Sequence, residues 1–212
     1  MKTNWIFFLI IMLFSNSCTT QEKDLNNLSY AENYKDLFKD KKIMTEQYDI
    51  AAKLPLAYTY ETKGFKFGTV NIPENAEDQI AMNSVGTFLN NVKERKIVGV
   101  KISIEGKENC KKALDYLQSQ YGNPKVLKQL PNKNKEGWLV GNSAYSWDLK
   151  SVNRSIIVSQ TFDLNFVESN KGKKYSQNES IIIFVIDNNI KSDAQGYTEL
   201  TTKELLIKTF SS

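Results

Sequence analysis

The chain has 212 residues, 41% hydrophobic and 25% charged, a composition that suits one folded domain and argues against wholesale disorder. It contains no histidine, which excludes Ser-His-Asp and Cys-His catalysis and His-ligated zinc. A net charge of only +4, with two arginines against 26 lysines, argues against a nucleic-acid partner, which needs a localised cationic excess and bidentate Arg contacts.

The chain opens with Met1-Lys2-Thr3-Asn4, an apolar run from Trp5 to Phe14, and then Ser15-Asn16-Ser17-Cys18. Ten helical residues rise only about 15 Å, whereas a bilayer core of about 30 Å asks for about 20 apolar residues. The run therefore reads as a cleaved export signal over 1–17, not a membrane span. Ser17-Cys18, with Phe14 and Ser15 ahead of it, resembles a loose form of the lipobox of bacterial lipoproteins. That resemblance implies diacylglycerol on the Cys18 sulfur, removal of the leader before it and, often, acylation of the new amino group. The competing reading is an ordinary cleaved signal with Cys18 a bystander. Some lipoprotein sorting systems retain proteins in the inner membrane by an Asp after the Cys. Thr19 stands there instead, so the resemblance implies the outer membrane, on either face. Polar residues follow to Asn27, and 18–27 is expected to be a lipidated tether, with one domain over 28–212.

Leu28, Ala31, Tyr34, Leu37 and Phe38 predict a short helix over 28–39, with a charged exit turn to Lys42. Residues 43–62 are ambiguous, and Pro55 forbids a regular helix interior there. Phe65, Phe67, Val70 and Ile72 read as strand, with Gly68 a candidate bulge and Pro73 a stop. Residues 82–90 and 97–105 predict a hairpin joined through 91–95, with Val98, Val100, Ile102 and Ile104 on one buried face. A helix follows over 107–121, its stripe being Cys110, Ala113, Leu114, Leu117 and Tyr121. Gly122 and Pro124 signal its end. If Cys18 is acylated, Cys110 is the one free thiol of the mature chain, and its place on the stripe makes it a small core hydrophobe. A polar loop is expected over 130–136. Three strands then follow: one with Tyr145, Trp147 and Leu149 on a face; one with Ile156, Val158, Phe162, Leu164 and Phe166, interrupted by Gln160; and a central one over 181–186, apolar on both faces. A long hairpin loop over 168–178 is expected to carry Lys171, Lys173 and Lys174. Thr201 or Thr202 is expected to cap a tail helix holding Leu205, Leu206 and Phe210. The sum is an α+β two-layer domain: an antiparallel sheet of five or six strands, one main helix on a face, and short N- and C-terminal helices.

No P-loop, G-x-G-x-x-G, G-x-S-x-G or H-E-x-x-H pattern occurs, and neither a metal nor a cofactor is expected. Glu105, Glu108 and Asp115 read as solvated charges near a helix start. Asp148 should be exposed or lie under a helix edge. Trp138, at a loop edge after Gly137, and Tyr145 are the candidate partner-binding residues, while Trp147 reads as core. The lysine group reads as a solvated tip or a contact to anionic lipid. The expectation is a non-catalytic envelope lipoprotein that binds a protein or glycan partner or supports envelope assembly. The alternative is a protective inhibitor of a hostile hydrolase or toxin, and an enzyme using acidic residues is the third reading.

Overall fold

The computed structural model describes residues 22–30, 32–76, 82–90, 95–130, 133–169, 172–192 and 194–212. The leader and Cys18 lie outside them. So do Lys171 and the side chains of Lys173 and Lys174.

The chain folds as a mixed α+β domain dominated by antiparallel strands. The strands are β1 (Lys23–Asp24), β2 (Met44–Glu46), β3 (Leu56–Thr59), β4 (Phe65–Phe67), β5 (Val70–Asn71), β6 (Ser84–Leu89), β7 (Ile97–Glu105), β8 (Lys125–Lys128), β9 (Gly141–Leu149), β10 (Arg154–Ser169) and β11 (Gly172–Asp187). The α-helices are α1 (Tyr34–Leu37), α2 (Lys107–Tyr121) and α3 (Thr202–Ser211). An eight-stranded sheet runs in the order β2-β3-β6-β7-β11-β10-β9-β8, and a three-stranded one in the order β1-β4-β5. The large sheet is two four-strand meanders meeting at the antiparallel β7–β11 pair.

The expectation of five or six strands under one helix is corrected in two ways. The sheet has eight strands, and both of its faces are covered. On one face α2, through Cys110, Ala113 and Leu117, shares a core with Val100, Ile102, Ile104, Ile156, Val158 and Ile181. On the other, Leu206 of α3 packs with Phe88, Val98, Ile157, Phe184 and Ile186. The apolar character of β11 on both sides is what such a sandwich demands, and β11 is indeed interior.

Val98 does not share a face with Val100, Ile102 and Ile104. The register slips where Phe88 pairs with Gly99 but Leu89 pairs with Ile97, so Val98 is the extra residue of a β-bulge and turns to the α3 side. Gly68 is not a bulge but opens the two-residue turn of the β4–β5 hairpin, at φ 61°. Of the helix expected over 28–39 only the single turn α1 forms, and a 3₁₀ turn over Leu25–Asn27 precedes it. Much of the stretch expected as a tether is built into the domain. Lys23 and Asp24 pair with β4, Leu25 is buried, and Asp24 Oδ1 accepts from the backbone of Asn26 and Gly68 at 3.0 and 2.8 Å. Burial of Leu25 and capping by Asp24 outweigh the polar composition of its neighbours.

Within the expected loop over 168–178, residues 168–169 and 172–178 are strand. β10 and β11 remain paired from Asp163↔Asn178 to Ser169↔Gly172, beyond the last rungs to β9 (Phe162↔Gly141) and β7 (Ser180↔Glu105). Seven further pairs make an arm about 23 Å long at about 3.3 Å per residue. The tail helix is α3, and Thr201 and Glu204 form its capping box.

Candidate binding cleft at one end of the sheet

A cleft of about 850 Å³ lies at the end of β9 away from the arm. One wall is the segment from Asn26 to Ser29. A second is the end of α2 with Tyr121, Asn123 and Lys125. The rim is the β9–β10 turn with Lys150, Ser151 and Val152, and the floor includes Trp147 and Val185.

The walls are fixed by polar contacts. The Tyr121 hydroxyl donates to Asn26 Oδ1 at 2.8 Å, and Asn26 Nδ2 donates to the Tyr116 hydroxyl at 3.1 Å. Burial, then Tyr121 and Asp24, pushes the Tyr116 hydroxyl up to about 12, so it stays protonated. Trp147 is 5% exposed, and its indole N–H donates to the Gly122 carbonyl at 2.8 Å. Gly122, at φ 76°, ends α2 in a conformation that puts this carbonyl within reach.

Arg154 opens β10 at the cleft edge. Its guanidinium lies 3.6 Å from the centroid of the Tyr30 ring, and Nη1 donates to the Leu28 carbonyl at 3.3 Å. Tyr30 is itself pinned, donating to the Val185 carbonyl at 2.9 Å. Burial drives the Tyr30 hydroxyl well above its ordinary value, with Arg154 pulling the other way, so the ring remains a neutral platform.

Asp148 is the one carboxylate in the lining. It is exposed, as expected, and tucked against the edge of α3. Its Oδ1 accepts from Lys203 Nζ at 2.6 Å and lies 2.8 Å from Ser155 Oγ. The Lys203 bond, then the Ser155 bond, holds Asp148 below the usual carboxylate range. The lining thus offers amides, hydroxyls, aromatic edges and three cations, with its carboxylate already engaged. Such a surface hydrogen-bonds polyhydroxylated groups and attracts anions. Among the described residues no group of three or more Cys, Asp or Glu is placed to hold a metal.

The structure does not bring Trp138 and Tyr145 together in this cleft. Trp138 is half-buried on the loop before β9, at the far end of that strand. Its backbone N–H donates to Asn134 Oδ1 at 2.8 Å, and the adjacent Leu139 backbone exchanges two hydrogen bonds with the Gln177 side chain at the base of the arm. Tyr145 packs half-buried against the α2-side core. Trp147 is core, as expected, and yet floors the cleft. Sequence reasoning missed Tyr30, Asn26 and Arg154. The signal available was the rarity of arginine in a lysine-rich chain.

No protein-family model matches the chain, and neither the curated proteins nor the solved structures give a significant match.

Proposed function

We propose that the chain is a lipid-anchored envelope protein, tethered through Cys18, that acts without catalysis by holding a partner in the Arg154–Trp147 cleft. The observation that carries this reading is the cleft itself. It is of ligand-binding size, is fixed by internal hydrogen bonds, and has its one carboxylate committed to Lys203. The absence of histidine from the chain supports a binding role over acid–base chemistry near neutral pH.

The outer membrane is the proposed address, from the lipobox resemblance and Thr19. The ordered segment from Lys23 onward supports a close approach to the bilayer. Three residues lie between Cys18 and Glu22, and the four Cα-to-Cα steps span at most about 14 Å. Asn26, in the cleft wall, follows shortly after.

Two measurements test the proposal. Cys18→Ser should release the protein from membranes or leave its leader uncut, whereas normal processing with normal membrane retention removes the anchor. The full chain, solubilised from its own envelope, should retain a partner that a cleft variant such as Lys150→Glu loses. Retention indifferent to the cleft removes the binding role. The arm favours a second reading, the protective inhibitor, because a two-stranded ribbon projecting about 23 Å suits insertion into another protein's active site. Inhibition of a secreted hydrolase that is lost on shortening 163–178 would favour it.

A further inference from the structure

We infer that the cleft recognises an acidic sugar, with Arg154 taking its carboxylate. The inference rests on the partner-binding reading of the cleft and adds the chemistry of the ligand.

A guanidinium carries five N–H donors in a rigid fork. Here one hydrogen bond is made, to the Leu28 carbonyl, and Arg154 takes part in none of the salt bridges among the described residues. Asp187, its partner across the β10–β11 ladder, influences the same neighbourhood but does not close on it. The plane of the group is nonetheless set, because Tyr30 stacks on it and is in turn fixed to Val185. An oriented, half-buried cation with no counter-ion within 4.0 Å among the described residues, at the edge of a cleft, is prepared for a bidentate oxyanion. Lys125 and Lys150 add positive charge to the same lining against the single, already paired Asp148.

The rest of the polar lining is neutral. Asn27, Asn123 and Ser151 line the cleft with amide and hydroxyl groups, and Tyr121 adds an aromatic edge. Amides and hydroxyls match sugar hydroxyls, whereas a nucleic acid or a highly phosphorylated ligand calls for a denser cationic lining. A singly charged carboxylate on a hydroxylated ring fits both halves of the surface, and about 850 Å³ accommodates a short oligosaccharide.

The test uses the full chain in detergent micelles and a matched pair of probes, oligogalacturonate and the same oligomer fully methyl-esterified, followed by calorimetry. The acidic oligomer should bind saturably and at least tenfold more tightly than the ester. Arg154→Gln should weaken it tenfold or more, and Arg154→Lys, which keeps the charge but not the fork, should weaken it by an intermediate factor. Should Arg154→Gln fail to fold, Lys150→Gln on the exposed rim should still weaken binding two- to threefold and flatten its salt dependence. Equal affinity for acid and ester, or an unchanged affinity in Arg154→Gln, overturns the inference. So does tighter binding of inorganic phosphate than of the oligomer, which would mark a bare oxyanion site. Capture of an envelope partner through the cleft uses none of these probes, so the binding role stands or falls separately.

Discussion

The indole N–H of Trp147 donates to the carbonyl of Gly122 across 2.8 Å, tying the floor of the cleft to the end of α2. The bond fixes how the helix end, with Tyr121 and Asn123, stands over the cleft. Trp147→Phe removes it, leaves a partly buried carbonyl unpaired and creates a small void. It should destabilise the fold by about 1–3 kcal/mol in urea unfolding. An unchanged midpoint would show that the tie is not structural.

Gly68 lies beneath the ring of Tyr116. A methyl group on Gly68 would sit 1.9 Å from Tyr116 Cζ, and the residue holds φ 61°. Gly68→Ala therefore strains the turn and pushes the ring off Phe67, against which it packs edge-on at 5.6 Å. A loss of roughly 2–3 kcal/mol is expected, part of it recovered when Tyr116→Ala is added. A double-mutant cycle checks the coupling, and strict additivity would contradict it.

Asp49 is buried and joins two elements. Oδ1 accepts from the backbone of Ala51 and Ala52 at 2.9 and 2.7 Å, while Oδ2 receives Lys101 Nζ of β7 at 2.7 Å. Asp49→Ala strips both roles and should cost about 3 kcal/mol. Asp49→Asn keeps an acceptor for the turn and should cost less. Denaturant unfolding of the pair should rank them in that order.

Cys110 should be inert in the folded protein. Burial, then the nearby Glu179, pushes its thiol up to about 12 from an ordinary value of 9.0. A thiol reagent at pH 8 should label it only after unfolding. The folded state holds this proton more tightly than the unfolded one, so the stabilisation is complete below about pH 9 and is lost as pH rises from there toward 12. Cys110→Ala should flatten that alkaline slope, and fast labelling of the native protein would refute the burial argument.

Where one residue pattern decided one element, the sequence was a good guide. The stripe from Cys110 to Tyr121 with Gly122 at its end gave α2, Thr201, one of the two threonines expected at the cap, caps α3, and the two-sided apolar run of 181–186 placed β11 in the interior. Long-range register was not legible. The bulge at Val98 arises from pairing with Phe88 and Leu89, which β7 alone cannot reveal. The second arm of the ribbon read as a loop because Ser176, Gln177 and Asn178 lack a buried face, and there the backbone ladder carries the structure. Edge strands such as Lys125–Lys128 are too short to show a period. The cleft was hidden for the same reason: Tyr30 and Arg154 stack across 124 positions of sequence, and neither is unusual in its local window.

The claim that the cleft is where a partner is held can be tested without knowing that partner. A photocrosslinking residue placed at Ser151, on the exposed cleft rim, is compared in intact cells with one at Lys135, on the Trp138 loop at the other end of β9. The account predicts a crosslinked product from Ser151 that Arg154→Gln diminishes, and little or none from Lys135. Crosslinking from Lys135 alone, or from neither position, would contradict it.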